Sequence, residues 1–163
     1  MRVYLIRHAK AERRDAERWP DDSLRPLSPR GRERFEAAAA ALSRPRDAVD
    51  VVLASPYRRA WQTAELLATH AGWPAPTSCP PLASASIEAV VAAAEAATRD
   101  GAERVALVGH EPQMSALASW LLTGDQILRF RWRTGAIARL EVERWAPGAA
   151  TLEWFAQPRL LAR

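Results

Sequence analysis

Apolar and polar positions divide most of the chain into short strands that alternate with longer helices. Three short apolar stretches bounded by turn residues predict buried strands, at residues 2–7, 49–54 and 104–108. Helical spacing of the apolar positions predicts four helices, over residues 28–42, 57–71, 86–99 and 112–122. Strands that alternate with helices indicate an α/β fold, and we expect a three-layer α/β/α sandwich with a mostly parallel central sheet.

Local signals set the boundaries of several segments. Ser28 followed by Pro29 is typical of a helix N-cap and first turn. Residues 15–27 are charged, contain two prolines and show no period, so we expect a surface loop that could cover a site. Residues 137–145 and 151–155 alternate on either side of the turn Pro147-Gly148, which predicts a hairpin or two late strands of the same sheet.

Composition narrows the class of protein. The 163 residues, 48% hydrophobic and 26% charged, predict one soluble globular domain over 1–163. No apolar run approaches the roughly 18 residues of a membrane span, and we expect no membrane partner. Cys79 is the only cysteine, which excludes an internal disulfide and favours the cytoplasm. The net charge is only +4 although Arg and Lys together number 23, so charge alone does not indicate a nucleic-acid partner.

Basic residues follow each of the three predicted strands. Arg7 and His8 come after the first strand, Ser55 to Arg59 after the second, and His110 after the third. Ligands bind at the carboxyl ends of parallel strands, so these segments should meet in one crevice. Arginine forks and helix N-termini bind phosphate oxygens well. The sequence therefore predicts a phosphate pocket with histidine inside it.

A histidine in such a pocket can activate water or attack phosphorus itself, and both roles require a neutral imidazole. We expect the neighbouring positive charge to lower the pKa of His8, and a backbone carbonyl near the strand end to anchor its second ring nitrogen. Positioning and electrostatics suffice for this chemistry, so we expect no metal and no cofactor.

Four motifs together resemble the histidine phosphatase superfamily, and within it the SixA-like phosphohistidine phosphatases. They are Leu5-Ile6-Arg7-His8-Ala9, Arg25-Pro26-Leu27-Ser28 with Gly31, Ser55-Pro56-Tyr57-Arg58-Arg59-Ala60-Trp61-Gln62-Thr63-Ala64, and Val108-Gly109-His110-Glu111-Pro112.

The resemblance implies a phosphoglycerate mutase-like fold and a covalent phosphoryl intermediate. It implies that His8 is the nucleophile, that Arg7 and Arg59 clamp the phosphoryl group, and that His110 donates a hydrogen bond to it. Arg25 and Ser55 are further candidates for substrate contacts.

Two positions depart from the superfamily's usual pattern. Ala9 stands where a glycine usually follows the nucleophile, and no carboxylate stands between Pro80 and Glu88, where many relatives carry a general acid. An alkoxide leaving group needs a proton, whereas an imidazole leaving group, with a pKa near neutrality, needs little help. We therefore expect phosphohistidine on a protein as the substrate. The role of Glu88 as an acid stays open.

Other functions stay open as alternatives. One is a small-molecule phosphomonoesterase or mutase of the same superfamily. Another is anion or nucleic-acid binding without turnover, suggested by the basic and aromatic residues at 129–133, although an edge strand with Phe130 and Trp132 facing the core is the simpler interpretation. A metal site built from His8, His110 and Cys79 lacks suitable spacing. Lys10 could line the pocket rim or point to solvent.

Overall fold

The computed structural model describes residues 1–161 of the chain. The strands are β1 (Arg2–Arg7), β2 (Val51–Ala54), β3 (Thr77–Ser78), β4 (Arg104–Gly109), β5 (Ile137–Val142) and β6 (Ala150–Ala156). The helices are α1 (Pro29–Ala40), α2 (Arg58–Ala71), α3 (Pro81–Ser84), α4 (Ile87–Thr98), α5 (Gln113–Thr123) and α6 (Pro158–Leu161). Short 3-10 turns occur at Asp22–Leu24 and Pro45–Asp47.

The six strands form one sheet in the order β3-β2-β4-β1-β5-β6. Neighbours from β3 to β1 are parallel, whereas β5 runs antiparallel to β1 and β6 antiparallel to β5. β2, β4 and β1 lie side by side and parallel, so their carboxyl ends meet at one edge of the sheet. The sequence segments predicted to form the site therefore share that edge.

Helices cover both faces of the sheet. Along β1, Val3 and Leu5 pack in a cluster with buried residues of α4 and α5, while Tyr4 and Ile6 pack in a second cluster with α1 and α2. Side chains alternate between faces along a strand, so burial on both faces requires the continuous apolar run seen in the sequence. The predicted three-layer α/β/α arrangement with a mostly parallel sheet is confirmed.

Two segments differ from the sequence-based expectation. The proline-rich stretch 74–81 lies between the predicted helices 57–71 and 86–99 and shows no periodic pattern, yet it holds the short strand β3 and leads into α3. Residues 129–133 are not a strand, although Trp132 is buried and the arginines beside it are exposed as expected. Side chains hold this segment instead of a strand ladder, because the carbonyls of Trp132 and Arg131 accept hydrogen bonds from Arg7 and Gln157.

Candidate active site

His8 lies directly beyond β1, at the carboxyl edge of the sheet. Its backbone N–H continues the parallel ladder by donating to the carbonyl of Gly109 at 2.9 Å. Its ring Nδ1 lies 2.7 Å from the carbonyl oxygen of Ala9. A carbonyl only accepts, so the proton is assigned to Nδ1, and Nε2 keeps its lone pair. Ala9 thus supplies the backbone anchor that the sequence analysis expects for the ring of His8.

The protein environment keeps His8 uncharged. The pKa of His8 is lowered from 6.5 to about 3, mainly by burial, with smaller contributions from the nearby ring of His110 and the charges of Arg59 and Arg7; the hydrogen bond to the carbonyl of Ala9 acts in the opposite direction. The sequence-based argument relied on the arginines, but desolvation is the larger cause. The imidazole is therefore neutral across the physiological pH range.

His110 faces His8 from the end of β4. The two ring centroids are 5.0 Å apart, and burial lowers the pKa of His110 to about 4. Its Nε2 lies 2.8 Å from Oγ of Ser55, and its Nδ1 has no hydrogen-bond partner within residues 1–161. His110 is thus a second neutral imidazole, held through one ring nitrogen.

Ser55 occupies a different place from the one expected. We expected it to contact substrate, but its side chain is fully buried and lies behind His110. The lining of the cavity does not include it. Its Oγ accepts a hydrogen bond from the backbone N–H of Tyr57 at 3.3 Å. The geometry makes Ser55 a residue that orients His110.

A cavity of about 340 Å³ opens above the two histidines. Both line it, together with Arg7, Arg25 and Arg59. The Nη1 of Arg7 donates to the carbonyl of Trp132 at 2.5 Å, while the guanidinium of Arg59 lies 5.0 Å from the Tyr57 ring centroid. The Nε of Arg7 and the Nε of Arg59 are buried without partners in the described part of the chain. Such orphaned donors suit an anion, because a buried donor without a partner is costly.

Asp22, in the loop that covers the cavity, was missed by the sequence analysis. Its carboxylate accepts a hydrogen bond from Nε of Arg25 at 2.8 Å and lies 3.2 Å from Nη1 of Arg59. The hydrogen bond from Arg25 is the main cause that lowers the pKa of Asp22. The only available signal was its position within the charged segment 15–27. An acid among these arginines means that a bound phosphate would compete with a resident carboxylate.

Thr63 links the loop after His8 to α2 through two hydrogen bonds. Its Oγ1 accepts from the backbone N–H of Ala9 at 3.0 Å and donates to the carbonyl of Arg59 at 2.6 Å. Nearby, Oε1 of Gln62 accepts from the backbone N–H of Leu27 at 2.8 Å, which ties the covering loop to the same helix. Both residues belong to the motif after Ser55, but the sequence did not show that they connect three site segments.

Lys10 and Gly31 show how the loop after His8 is seated on α1. A Cβ at Gly31 would lie 1.9 Å from the carbonyl oxygen of Lys10, so only glycine permits this approach. The side chain of Lys10 is exposed and lines the cavity, which places it on the pocket rim.

Two carboxylates bear on proton donation to a leaving group. Glu88 is exposed on α4 and does not line the cavity. Glu111 does line it, but both of its oxygens accept hydrogen bonds from Ser115, one from the backbone N–H and one from the hydroxyl. Both oxygens of Glu111 are thus occupied by Ser115, and Glu88 lies away from the cavity.

Metal donors are not clustered in the part of the chain that the structure describes. No group of three or more His, Cys, Asp or Glu side chains there could hold an ion. Cys79 is a buried, free thiol and does not line the cavity that His8 and His110 share. In the same residues, no helix is both long and apolar enough to cross a bilayer.

Comparison with known proteins places these features in a wider context. A family model described as the histidine phosphatase superfamily (branch 1) matches residues 3–83. The phosphohistidine phosphatase SixA of Escherichia coli K12 is 28% identical over 160 residues, which cover 97% of this chain and 94% of that protein.

Solved structures show the same likeness. A structure of the protein histidine phosphatase SixA complexed with tungstate matches with a TM-score of 0.84 and 29% identity, covering 99% of both chains. The α-ribazole phosphatase of Shigella flexneri matches with a TM-score of 0.69 at 18% identity over 97% of both chains, which is a likeness of fold alone.

Proposed function

Because the chain belongs to the histidine phosphatase superfamily, we propose that it hydrolyses phosphohistidine on a protein through a phosphoryl intermediate on His8. One observation carries the proposal. A neutral imidazole, fixed through Nδ1 by Ala9, lies in a cavity lined by arginines whose buried Nε atoms have no partner among residues 1–161.

The first step is attack by the Nε2 lone pair of His8 on phosphorus. A new N–P bond forms as the P–N bond to the substrate imidazole breaks. That imidazole carries a proton on its other ring nitrogen, so it takes the bonding electrons and leaves as a neutral ring. Water then attacks phosphorus and gives a proton to solvent, the electrons of the bond to His8 return to Nε2, and inorganic phosphate is released. Arg7 and Arg59 stabilise the charge on the phosphoryl oxygens in both steps.

His110 donates a hydrogen bond to the phosphoryl group in this proposal. Oγ of Ser55 accepts from the backbone N–H of Tyr57, so its own proton is available for Nε2 of His110. The proton of neutral His110 then resides on Nδ1, the nitrogen without another partner in the described residues. Arg25 adds a further donor from the covering loop.

The carboxylates favour a P–N substrate over an ester. Asp22 is held ionised by Arg25, and both oxygens of Glu111 are engaged by Ser115. An alkoxide would leave without a proton donor, whereas imidazole leaves readily near neutral pH. A small-molecule phosphomonoesterase or mutase is the second candidate, favoured by the presence of Glu111 in the cavity wall.

Transient labelling tests the proposal directly. After incubation with a phosphohistidine peptide and a rapid alkaline quench, acid-labile phosphate is expected on His8. His8→Ala should lose both label and turnover, while His70→Ala, on α2 and outside the cavity lining, should keep both. Full hydrolysis by His8→Ala would contradict the covalent mechanism.

Substrate preference tests the P–N assignment. A phosphohistidine peptide should be hydrolysed with a kcat/KM at least about 100-fold above that of the matching phosphoserine peptide, since general-acid help to an alkoxide is worth about 10²- to 10⁴-fold. Equal rates on both peptides would favour the ester alternative.

We also propose that residues 1–163 act as one domain and that the protein works in the cytoplasm, where the free thiol of Cys79 stays reduced.

A further inference from the structure

A second and larger cavity lies beside the catalytic one. Its volume is about 930 Å³, and its walls come from α1, the start of α6 and the loop at 133–135. Lys10 and Thr134 line both cavities, so the two share a wall. A phosphoryl group alone fills only a small part of this space. The groove therefore suits a larger part of a substrate.

The wall shared with the active site is fixed to the nucleophile segment. The backbone N–H of Gly135 lies 3.1 Å from the carbonyl of Arg7 and 2.9 Å from that of His8. A Cβ at Gly135 would lie 2.7 Å from Cγ of Pro158 and 3.1 Å from Cδ2 of Phe35. The groove floor thus packs tightly against the end of β1, and a ligand lying in it is held at a set distance from His8.

Five cationic side chains surround this groove: Lys10, Arg30, Arg34, Arg133 and Arg159. All five are exposed, and no carboxylate within residues 1–161 lies at salt-bridge distance from any of them. Among the described residues that line the groove, Glu33 alone is acidic. Arg14, Arg25 and Arg59 at the catalytic cavity, in contrast, share the carboxylate of Asp22.

We propose that this groove docks an acidic segment of the protein that presents the phosphohistidine. The inference rests on the proposed function. That function concerns the phosphohistidine itself, and the inference adds the part of the partner protein that surrounds it. Several carboxylates on one segment would meet the unpaired cations while the phosphorylated imidazole enters the adjoining cavity. Opposite charges across such a contact raise specificity and the rate of encounter.

A protein segment fits the groove better than a nucleic acid does. Its aromatic residue, Phe35, is 1% exposed and offers no face on which a base could stack. The groove also adjoins the cavity that His8 and His110 line, where the phosphohistidine would react. Arg133, from the basic and aromatic segment noted in the sequence, contributes to this surface, while Trp132 beside it is buried.

Charge reversal at two arginines of α1 provides the variant, and two arginines outside the groove provide its matched control. Arg30→Glu/Arg34→Glu changes two groove residues one helical turn apart. Arg32→Glu/Arg44→Glu changes the net charge equally at two exposed arginines outside both cavity linings. Neither pair removes a residue of the catalytic machinery.

The substrates are two phosphohistidine peptides, one flanked by four acidic residues and one by four serines, together with phosphoramidate as a small P–N substrate. The wild-type protein should show a kcat/KM about tenfold higher for the acidic peptide, mainly through KM, since a few exposed ion pairs of modest strength contribute. The preference should disappear in Arg30→Glu/Arg34→Glu and persist in Arg32→Glu/Arg44→Glu. Turnover of phosphoramidate should be unchanged in both variants.

Three results would overturn the docking proposal: equal kcat/KM for the two peptides in the wild type, an equal loss of preference in the control variant, or tighter binding of a single-stranded oligonucleotide of the same charge than of the acidic peptide. Binding of the unphosphorylated acidic peptide, followed by fluorescence anisotropy, tests the groove even without turnover. Loss of binding only in Arg30→Glu/Arg34→Glu would support docking. Absence of hydrolysis of all three substrates would instead overturn the proposed function.

Discussion

Lowering the pH should destabilise the protein through His8. The pKa of His8 is about 3 in the folded protein and 6.5 in the unfolded chain. Below pH 6.5, His8 becomes protonated in the unfolded chain but stays neutral in the folded protein. The free energy of unfolding therefore falls as the pH decreases from 6.5 towards 3. At pH 5 the loss from this one group is about 2 kcal/mol relative to pH 8.

This magnitude depends little on the exact value in the folded state. Any folded pKa below about 4.5 gives nearly the same result at pH 5, because the unfolded chain alone is protonated there. Protonation of other groups is common to the wild type and a variant, so it cancels when the two are compared.

Urea unfolding at pH 8 and pH 5 measures the effect. The wild type should lose about 2 kcal/mol more than His8→Gln between the two pH values, whatever the absolute stability of the variant. His70→Gln, at the end of α2, controls for the removal of a histidine as such and should follow the wild type. If His8→Gln and the wild type lost equal free energy, His8 would bind protons equally in both states, and the neutral nucleophile would be refuted.

Two substitutions test the supports of the site. Thr63→Val leaves the backbone N–H of Ala9 without its acceptor, so the free energy of unfolding in urea should fall by about 1–3 kcal/mol and kcat should decrease. Thr63→Ser should restore both the stability and kcat. Unchanged stability and kcat in Thr63→Val would show that this hydrogen bond is dispensable. Asp22→Asn removes the carboxylate that competes with phosphate for Arg25 and Arg59. The variant should bind inorganic phosphate up to about fivefold more tightly, as measured by calorimetry. Weaker binding would mean that Asp22 holds the two arginines in place.

The sheet edge was predictable because its signal is local. Short apolar runs identify β1, β2 and β4, and the right-handed parallel arrangement of such units brings their carboxyl ends together. Arg7, His8, Arg59 and His110 follow those runs in the sequence, and the structure brings all four to one cavity. The roles assigned to them remain proposals.

Other features of the site could not be predicted, because they depend on distances between remote segments. Ser55 follows a strand as the pocket residues do, but the side on which it lies becomes apparent only from its contact with His110. β3 is two residues long and carries too little pattern to be recognised. The ion pairs of Asp22 join a loop to α2, and no periodicity records such a contact.

Strand periodicity and residue chemistry are properties of local stretches, so the layered α/β fold and the candidate phosphate-binding residues can be predicted from the sequence alone. That burial lowers the pKa of His8 more than the arginine charges do follows only from the folded arrangement. So do the contact between Ser55 and His110, and the groove beside His8 whose surrounding cations have no carboxylate partner within residues 1–161. Desolvation and charge pairing are set by neighbours far apart along the chain, and those neighbours meet only when the chain folds.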